Sequence, residues 1–147
     1  MRIVAAMADT LAAIGAMRLA LWPDSEIDDL AELAGRTDSV VLIARAAEDE
    51  AIGFAEISLR HDYVNGCDAS PVAFLEGLYV EPAHRRQGVA KALVAAGLDW
   101  ARAQGIAEFA SDALLDNAAS HAFHAAIGFE ETERVVYFRR PIAQAPA

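Results

Sequence analysis

The stretch of sequence that decides the fold lies near the middle of the chain and reads Leu78-Tyr79-Val80-Glu81-Pro82-Ala83-His84-Arg85-Arg86-Gln87-Gly88-Val89-Ala90. Its apolar start predicts the end of a strand, and a long amphipathic helix is predicted over 88–104. The free N–H groups and the positive dipole end of a helix N-terminus attract phosphate oxygens. Gly88 lets a ligand approach the backbone closely, and Ala90 leaves the first helical turn unobstructed. The stretch therefore predicts a phosphate-binding loop.

Two arginines stand directly before the predicted helix. Arg85 and Arg86 can add charge-assisted hydrogen bonds to phosphate. The pattern Arg-x-x-Gly by itself is equally compatible with an ordinary surface turn whose arginines are solvated. The preceding strand, the Val-x-Pro exit and the length of the following helix favour the phosphate-binding interpretation.

The other elements extend outward from this unit. Apolar runs bounded by turn residues predict strands over 2–6, 40–43, 51–59, 72–80, 107–111 and 132–138. Helical spacing predicts helices over 10–21, about 25–33, 88–104 and 117–126, the first capped by Asp9-Thr10 and ended by Trp22-Pro23. Only the strand–helix–strand unit over 72–111 requires a parallel crossover. The predicted class is therefore α+β, with a mixed, mostly antiparallel sheet and helices packed on both faces.

Length and composition indicate one globular domain. The 147 residues are 55% hydrophobic and 23% charged, which excludes wholesale disorder. We expect a single domain over 1–147, with a frayed Pro/Ala-rich tail over 141–147. Asp9 interrupts the apolar start too early for a signal peptide, and no apolar run approaches the ~20 residues of a membrane span. The expected location is the cytoplasm.

The formal net charge of −10 limits the classes of partner. It disfavours nucleic acid and anionic membranes, because both require a basic patch and the chain offers only the short run His84-Arg85-Arg86. An acidic protein attracts cationic ligands, although net charge also simply maintains solubility. The single cysteine, Cys67, excludes an internal disulfide framework. His61, His84 and His121 lack zinc-like spacing, so no metal is predicted.

Two motifs resemble the acetyl-CoA-binding segments of the GNAT superfamily of acetyltransferases. They are Val80-x-Pro82-x-x-Arg85-x-x-Gly88-Val89-Ala90 and Asn117-x-x-Ser120-x-x-x-His124-x-x-x-Gly128-Phe129. They follow in the expected order on the expected elements, so the resemblance implies a GNAT-type fold with acetyl-CoA as co-substrate. The residues it assigns to acetyl-CoA are Leu78, Tyr79, Val80, Arg85, Arg86, Gln87, Gly88, Val89, Ala90, Lys91, Asn117 and His124.

A narrower resemblance, to the aminoglycoside 6′-N-acetyltransferases, covers nearly the whole chain. The stretches that carry it are Trp22-Pro23, His61-Asp62-Tyr63-Val64-Asn65-Gly66-Cys67-Asp68, Phe74-Leu75-Glu76-Gly77, Ala110-Ser111-Asp112 and residues 127–136. It implies transfer of acetyl to the 6′-amine of an aminoglycoside by direct attack in a ternary complex, a role in antibiotic resistance and a homodimer. The residues it assigns to the aminoglycoside are Trp22, Tyr63, Glu76, Asp112 and Glu133, with Tyr63 reaching the partner subunit's site.

Amine acetylation needs a neutral amine, a polarised carbonyl and a leaving thiolate that can be protonated. A carboxylate, directly or through water, can take the proton of the ammonium, and backbone donors can stabilise the oxyanion. Glu76 lies mid-strand among apolar residues, where a carboxylate is costly unless it has a partner or a task. We therefore expect catalytic parts for Glu76, Asp112 and Leu78.

Simpler interpretations stand beside these assignments. Asp112 and Glu133 are equally compatible with solvated or salt-bridged acids, and Trp22 with a core aromatic. His124 departs from the tyrosine that many GNAT enzymes place there, which leaves the general acid open. Cys67 has no histidine–acid pairing that would activate it. At the level of function, the alternatives are acetylation of another small polyamine or a peptide amine, and a non-catalytic acyl-CoA-binding regulatory module.

Overall fold

The structure is a computed structural model that describes residues 1–24, 32–33 and 35–143. Its elements follow the predicted order closely. The strands are β1 (Arg2–Ala5), β2 (Ser39–Arg45), β3 (Ala51–Arg60), β4 (Val72–Val80) and β5 (Phe109–Ala110). The helices are α1 (Gly15–Leu21), α2 (Val89–Ala103) and α3 (Ala118–Ala126), with short 3-10 helices at Leu11–Ile14 and Pro82–His84.

The five strands form one sheet in the order β1-β2-β3-β4-β5. The first three pairings are antiparallel, and β4 pairs with β5 in parallel. The connection from β4 to β5 contains α2, as the crossover rule requires. The predicted mixed, mostly antiparallel sheet in the α+β class is confirmed.

Helices cover both faces of the sheet, also as predicted. On one face α2 buries Val89, Leu93 and Val94 against Ala55, Ile57 and Leu75 of β3 and β4. Gly97 allows this approach, because a Cβ there would lie 2.5 Å from Ile57 Cδ1. On the other face Ile14 and Met17 pack against Val41, Ile43 and Phe54. The alternation of β2 and β3 therefore supplies two cores, one to each face.

The predicted last strand over 132–138 is wrong for this chain. Residues 129–143 have no regular structure and are mostly exposed. The apolar run Val135-Val136-Tyr137-Phe138 is typical of a strand, but a strand needs a neighbouring edge to satisfy its backbone groups. Within the described residues no strand pairs with this segment. An apolar run predicts that a segment can form a strand, but it does not predict that a neighbouring strand is present to pair with it.

Three smaller predictions are also adjusted. The first helix begins with a 3-10 turn, and Thr10 makes no side-chain cap; its hydroxyl accepts the Met7 N–H at 2.7 Å instead. The strand predicted over 107–111 shortens to β5, which pairs only with Ala73 and Phe74. Of the acidic helix predicted over 25–33, residues 25–31 lie outside the described part of the chain, as do residues 144–147 of the predicted tail.

Within the described ranges, none of the helices has the length and apolar character needed to span a membrane. The same residues contain no group of three or more His, Cys, Asp or Glu side chains arranged to hold a metal ion.

Candidate active site

A β-bulge in β4 gives Glu76 its orientation. Glu56 on β3 pairs with Gly77, whereas the next residue, Ile57, pairs with Leu75, so Glu76 is the extra residue. Bulges redirect side chains in this way and are frequent beside functional sites. Regular alternation would turn either Glu76 or Gly77 toward α2. The bulge instead turns both toward the face that carries α1.

The Glu76 carboxylate accepts three hydrogen bonds from neighbours on β3. Arg60 grips it with two hydrogen bonds, Nε to Oε1 at 2.9 Å and Nη2 to Oε2 at 2.7 Å. Ser58 donates its hydroxyl to Oε1 at 2.5 Å. Burial alone would raise the pKa of Glu76, but these hydrogen bonds and the Arg60 charge outweigh burial and lower it. Glu76 is therefore ionised at neutral pH.

Trp22 lies directly over the bulge. A Cβ on Gly77 would come within 2.3 Å of Trp22 Cη2, so only glycine allows the indole to rest on the strand. The ring also contacts Phe54 edge-on, with centroids 6.3 Å apart. Trp22 is therefore a packed aromatic residue that also forms a wall of the cleft beside Glu76. This position is compatible with both interpretations of Trp22, the core aromatic and the aminoglycoside contact.

A buried ion pair forms the floor of the same cleft. Arg18 of α1 donates to Glu56 Oε2 from Nε at 3.2 Å and from Nη2 at 3.1 Å. Both residues are under 10% exposed. Burial raises the pKa of Glu56, and Arg18 only partly opposes this effect. The guanidinium carbon of Arg18 also lies 5.1 Å from the Trp22 ring centroid, so the pair supports the indole from below.

These side chains line an open cleft of about 580 Å³. That volume suits a small molecule of several rings. Its lining contains both carboxylates and arginines. The lining residues are Arg18, Trp22, Asp24, Leu33, Arg36, Ser39, Glu56, Ser58 and Glu76.

The loop between β3 and β4 contacts the segment after α3. Glu108 fixes the loop by accepting the backbone N–H groups of Asp68 at 2.9 Å and Ala69 at 2.5 Å. Asn65 donates to Glu133 at 3.2 Å, which ties the loop to the C-terminal segment. The loop leaves Tyr63 73% exposed. Glu133 and Tyr63 are both exposed, and neither is among the residues that line the cleft.

Asp112 stands on the exposed segment just after β5. Its charge reaches Arg60, because Glu76 first and Asp112 to a lesser degree raise the pKa of the Arg60 guanidinium. Arg60 therefore lies within the electrostatic reach of two of the three predicted carboxylates. Of the three carboxylates that the resemblance assigns to the aminoglycoside, only Glu76 is among the described residues that line the cleft.

The predicted phosphate-binding loop has the backbone geometry of an anion site. Gly88 is the N-cap of α2 in a left-handed conformation, with φ of 82°. A Cβ there would meet no atom within 4 Å, so the space before the helix is open. Arg85 braces the turn: its Nε donates to the Val80 carbonyl at 2.8 Å. Arg86, Gln87 and Lys91 are exposed around the same helix end.

One edge of β4 is open beside this loop. β5 covers β4 only at Ala73 and Phe74, and within the described chain no strand pairs with that edge from Leu75 to Val80. An unpaired strand edge presents N–H and C=O groups that an extended ligand can satisfy. Leu78, Tyr79 and Val80 lie on this open edge. The predicted cofactor-binding residues from Leu78 to Lys91 therefore lie along one path from the strand edge to the helix N-terminus, whereas Asn117 and His124 belong to α3.

His124 of α3 is held by protein groups on both ring nitrogens. Nδ1 lies 2.7 Å from the Ser120 carbonyl oxygen, which can only accept, so Nδ1 carries the proton. Nε2 then accepts from the Ser111 hydroxyl at 2.8 Å. Asn117 caps the helix by accepting the Ser120 N–H at 3.1 Å. His124 thus links α3 to the end of β5, and its part as a general acid stays a prediction.

Three charged residues in or beside the cleft were not predicted from the sequence. Arg18, Arg60 and Glu56 were not singled out, although Glu56 shows the signal used for Glu76, a carboxylate in an apolar strand. Glu56, Ser58 and Arg60 also recur at every second position of β3, which places them on one face. A search for polar residues at strand period would have found this set.

Comparison with known proteins agrees with this geometry. The family model described as Acetyltransferase (GNAT) family matches residues 7–129. The chain is 50% identical over 133 residues to aminoglycoside N(6′)-acetyltransferase type 1 of Stenotrophomonas maltophilia, covering 89% of this chain and 87% of the relative. It is 48% identical over 130 residues to the Acinetobacter baumannii protein of that name, covering 86% and 89%.

Solved structures show the same fold. The aminoglycoside antibiotic 6′-N-acetyltransferase AAC(6′)-Ih from Acinetobacter baumannii superposes with a TM-score of 0.90 at 44% identity, covering 97% of this chain and 99% of that one. AAC(6′)-Iy, solved with the bisubstrate analogue CoA-S-monomethyl-acetylneamine, gives a TM-score of 0.90 at 43% identity, covering 96% and 98%. Together with the helix-end loop and the open strand edge, these matches show that the chain belongs to the GNAT family of acetyltransferases.

Proposed function

We propose that this protein transfers the acetyl group of acetyl-CoA to the 6′-amine of an aminoglycoside by direct attack in a ternary complex. One observation carries the proposal: β4 joins both halves of the site. Its bulge directs Glu76 into a charged cleft, while its open edge leads to the helix N-terminus at Gly88. The relatives and the solved structures named above support the same activity.

The residues on the cofactor side fit a nucleotide-linked thioester. The first-turn N–H groups of α2 and the exposed Arg86 suit the phosphates, and the β4 edge suits an extended polar arm. Gly88 leaves this approach open. When bound, acetyl-CoA supplies an activated acetyl group. We assign Leu78 the part of a backbone donor near that group. We assign Asn117 and His124 contacts with the cofactor from α3.

The acceptor side binds cations. Glu76, ionised at neutral pH, attracts an ammonium group, while Asp112 and Glu133 add negative charge nearby. A carboxylate of lowered pKa is a weak base, because proton transfer is most efficient when the pKa lies near the working pH. We therefore assign Glu76 the task of holding and orienting the amine, with water carrying the proton away. Trp22 provides an apolar wall for a sugar ring, and Tyr63 covers it or a partner's site.

The competing functions make different predictions in one assay. Release of free CoA is measured with an aminoglycoside, a linear polyamine and a lysine-containing peptide as acceptors. We expect kcat/KM for the aminoglycoside to exceed the other two by at least ~100-fold. Preference for the peptide would overturn the proposed acceptor. Tight acetyl-CoA binding without CoA release would instead favour a non-catalytic binding module.

Replacing Gly88 tests the cofactor path. Gly88→Ala places a methyl group in the open space before α2 and in a left-handed conformation that costs about 1–2 kcal/mol. We expect the KM for acetyl-CoA to rise about 10-fold, with the aminoglycoside KM little changed, in steady-state assays. Gly105→Ala is a matched control, because Gly105 also has positive φ and open space but follows the far end of α2. Equal effects of both substitutions would contradict the assignment.

We also propose a homodimer, supported by the C-terminal segment. Val136, Tyr137 and Phe138 are 70%, 86% and 93% exposed in the single chain. A run of consecutive exposed apolar residues is typical of a segment that another chain covers. A second copy would bury them and bring its own Tyr63 near.

The dimer proposal predicts a mass in solution of twice the 15.7 kDa of one chain. Light scattering coupled to size exclusion measures it directly. Replacing Tyr137 and Phe138 by serine together is expected to shift the protein toward the single-chain mass. An unchanged dimer in that variant would place the interface elsewhere, and a wild-type monomer would contradict the proposal.

Location and further partners complete the proposal. We place the protein in the cytoplasm, where acetyl-CoA is available, and assign it no nucleic-acid partner because its net charge is −10. Antibiotic resistance follows as a consequence of the proposed acetylation, since the modified amine loses its charge.

A further inference from the structure

Glu76 already has a cationic partner in this structure. A carboxylate offers about four lone-pair sites. The Arg60 fork occupies two of them, at 2.9 and 2.7 Å, and the Ser58 hydroxyl occupies a third. An ammonium group that approaches Glu76 therefore meets a guanidinium on the same carboxylate.

Two arginines in this region differ in how firmly they are held. The Arg18 side chain is 8% exposed and lies under the cleft against Glu56. The Arg60 side chain is 42% exposed and rests on the Phe74 ring, its guanidinium carbon 3.5 Å from the centroid. Arg60 is already partly solvated and can leave Glu76 by exposing one face of the Phe74 ring, whereas Arg18 is closed in beneath the cleft.

The surrounding charges favour such an exchange. The negative charge of Asp112 also acts on Arg60, so Glu76 is not the only carboxylate that attracts the guanidinium. Exchange of one cation for another keeps Glu76 ionised and hydrogen-bonded throughout. No buried charge is left without a partner, which is the usual obstacle to breaking such a pair.

We propose that Arg60 is a displaceable counter-ion that stands in for a substrate ammonium group on Glu76, so that acceptor binding requires the guanidinium to move aside. This inference rests on the proposed function. Arg60 would then determine specificity. An acceptor with one ammonium group only replaces the hydrogen bonds that Arg60 gives up, so it gains little affinity. A polycation gains further contacts with neighbouring carboxylates, and these offset the cost of displacing Arg60.

The first test removes the Arg60 charge. Arg60→Gln is expected to lower the aminoglycoside KM by about 3- to 10-fold at low salt, with the acetyl-CoA KM unchanged. Arg60→Lys, which keeps the charge but loses the two-pronged hydrogen bond to Glu76, is expected to lower the aminoglycoside KM by less than Arg60→Gln does. Arg102→Gln controls for net charge, because Arg102 is an exposed arginine paired with Asp99 on α2, outside the cleft. It should leave both KM values unchanged.

A rise in the aminoglycoside KM of Arg60→Gln would overturn the proposal and make Arg60 a residue that positions Glu76. An unchanged KM would overturn it too. If wild-type protein releases no CoA with any aminoglycoside, the proposed function fails first, whatever Arg60 does.

A second measurement needs no substitution. The Arg60 Nε–H signal in ¹⁵N NMR of the wild-type protein reports its hydrogen bond to Glu76. Saturation with aminoglycoside is expected to move this signal toward that of a solvated arginine, whereas acetyl-CoA alone should not. A signal that does not move on aminoglycoside saturation would show that the pair stays intact and would overturn the proposal.

Discussion

Arg18→Met is expected to lower the free energy of unfolding by about 3–5 kcal/mol, because it leaves the buried Glu56 carboxylate without its partner. Methionine has a similar length and keeps the packing against Trp22. Chemical denaturation monitored by circular dichroism measures the loss. The double variant Arg18→Met/Glu56→Leu is the control, since removing both charges is expected to recover most of the stability.

The loss should also depend on pH. Burial raises the pKa of Glu56, and removing Arg18 raises it further, so the folded state binds a proton more readily than the unfolded state. The cost of the substitution is therefore fully present at pH 8 and shrinks as pH falls toward the raised folded-state pKa. A loss of equal size at pH 8 and pH 5 would contradict the assignment of the effect to the Glu56 charge.

Glu76→Gln is expected to reduce kcat/KM for the aminoglycoside by about 100-fold, since a charge-assisted hydrogen bond of about 1.5–3 kcal/mol is lost and Arg60 is left unpaired in the site. The KM for acetyl-CoA should change by less than about 2-fold. Asp112→Asn is expected to act in the same direction with a smaller effect, because Asp112 is exposed.

Asp99→Asn is the matched control for Glu76→Gln, because it also removes one negative charge from an ion pair but lies on the exposed face of α2. It should leave both KM values near wild type. If Glu76→Gln weakens acetyl-CoA and aminoglycoside binding equally, Glu76 has a structural part in β4 rather than a part in acceptor binding.

Much of the fold was predictable because local signals and tertiary structure agree. The β4 bounds, Val72–Val80, match the prediction, since an apolar run between Pro71 and Pro82 admits few other readings. The α2 bounds followed from helical spacing and from glycine at each end. The path proposed for acetyl-CoA was predictable for the same reason, because its residues from Leu78 to Ala90 are contiguous in the sequence.

The acceptor side was less predictable because it depends on register. The bulge at Glu76 arises from the pairing of β3 with β4, and no residue in either strand marks it. Arg60 and Ser58 reach Glu76 only through that pairing. The strand wrongly predicted over 132–138 has a similar cause, because its apolar residues predict the capacity to pair but not the presence of a pairing strand within the described residues.

The most direct test of the proposed function uses two aminoglycosides that differ only at the 6′ position, one with an amine and one with a hydroxyl. Purified protein is incubated with acetyl-CoA and each compound, and free CoA and the mass of the product are measured. We expect CoA release and a single acetylated product with the 6′-amine compound, and at least ~100-fold slower release with the 6′-hydroxyl compound. Equal rates of acetylation for the two compounds would contradict the account.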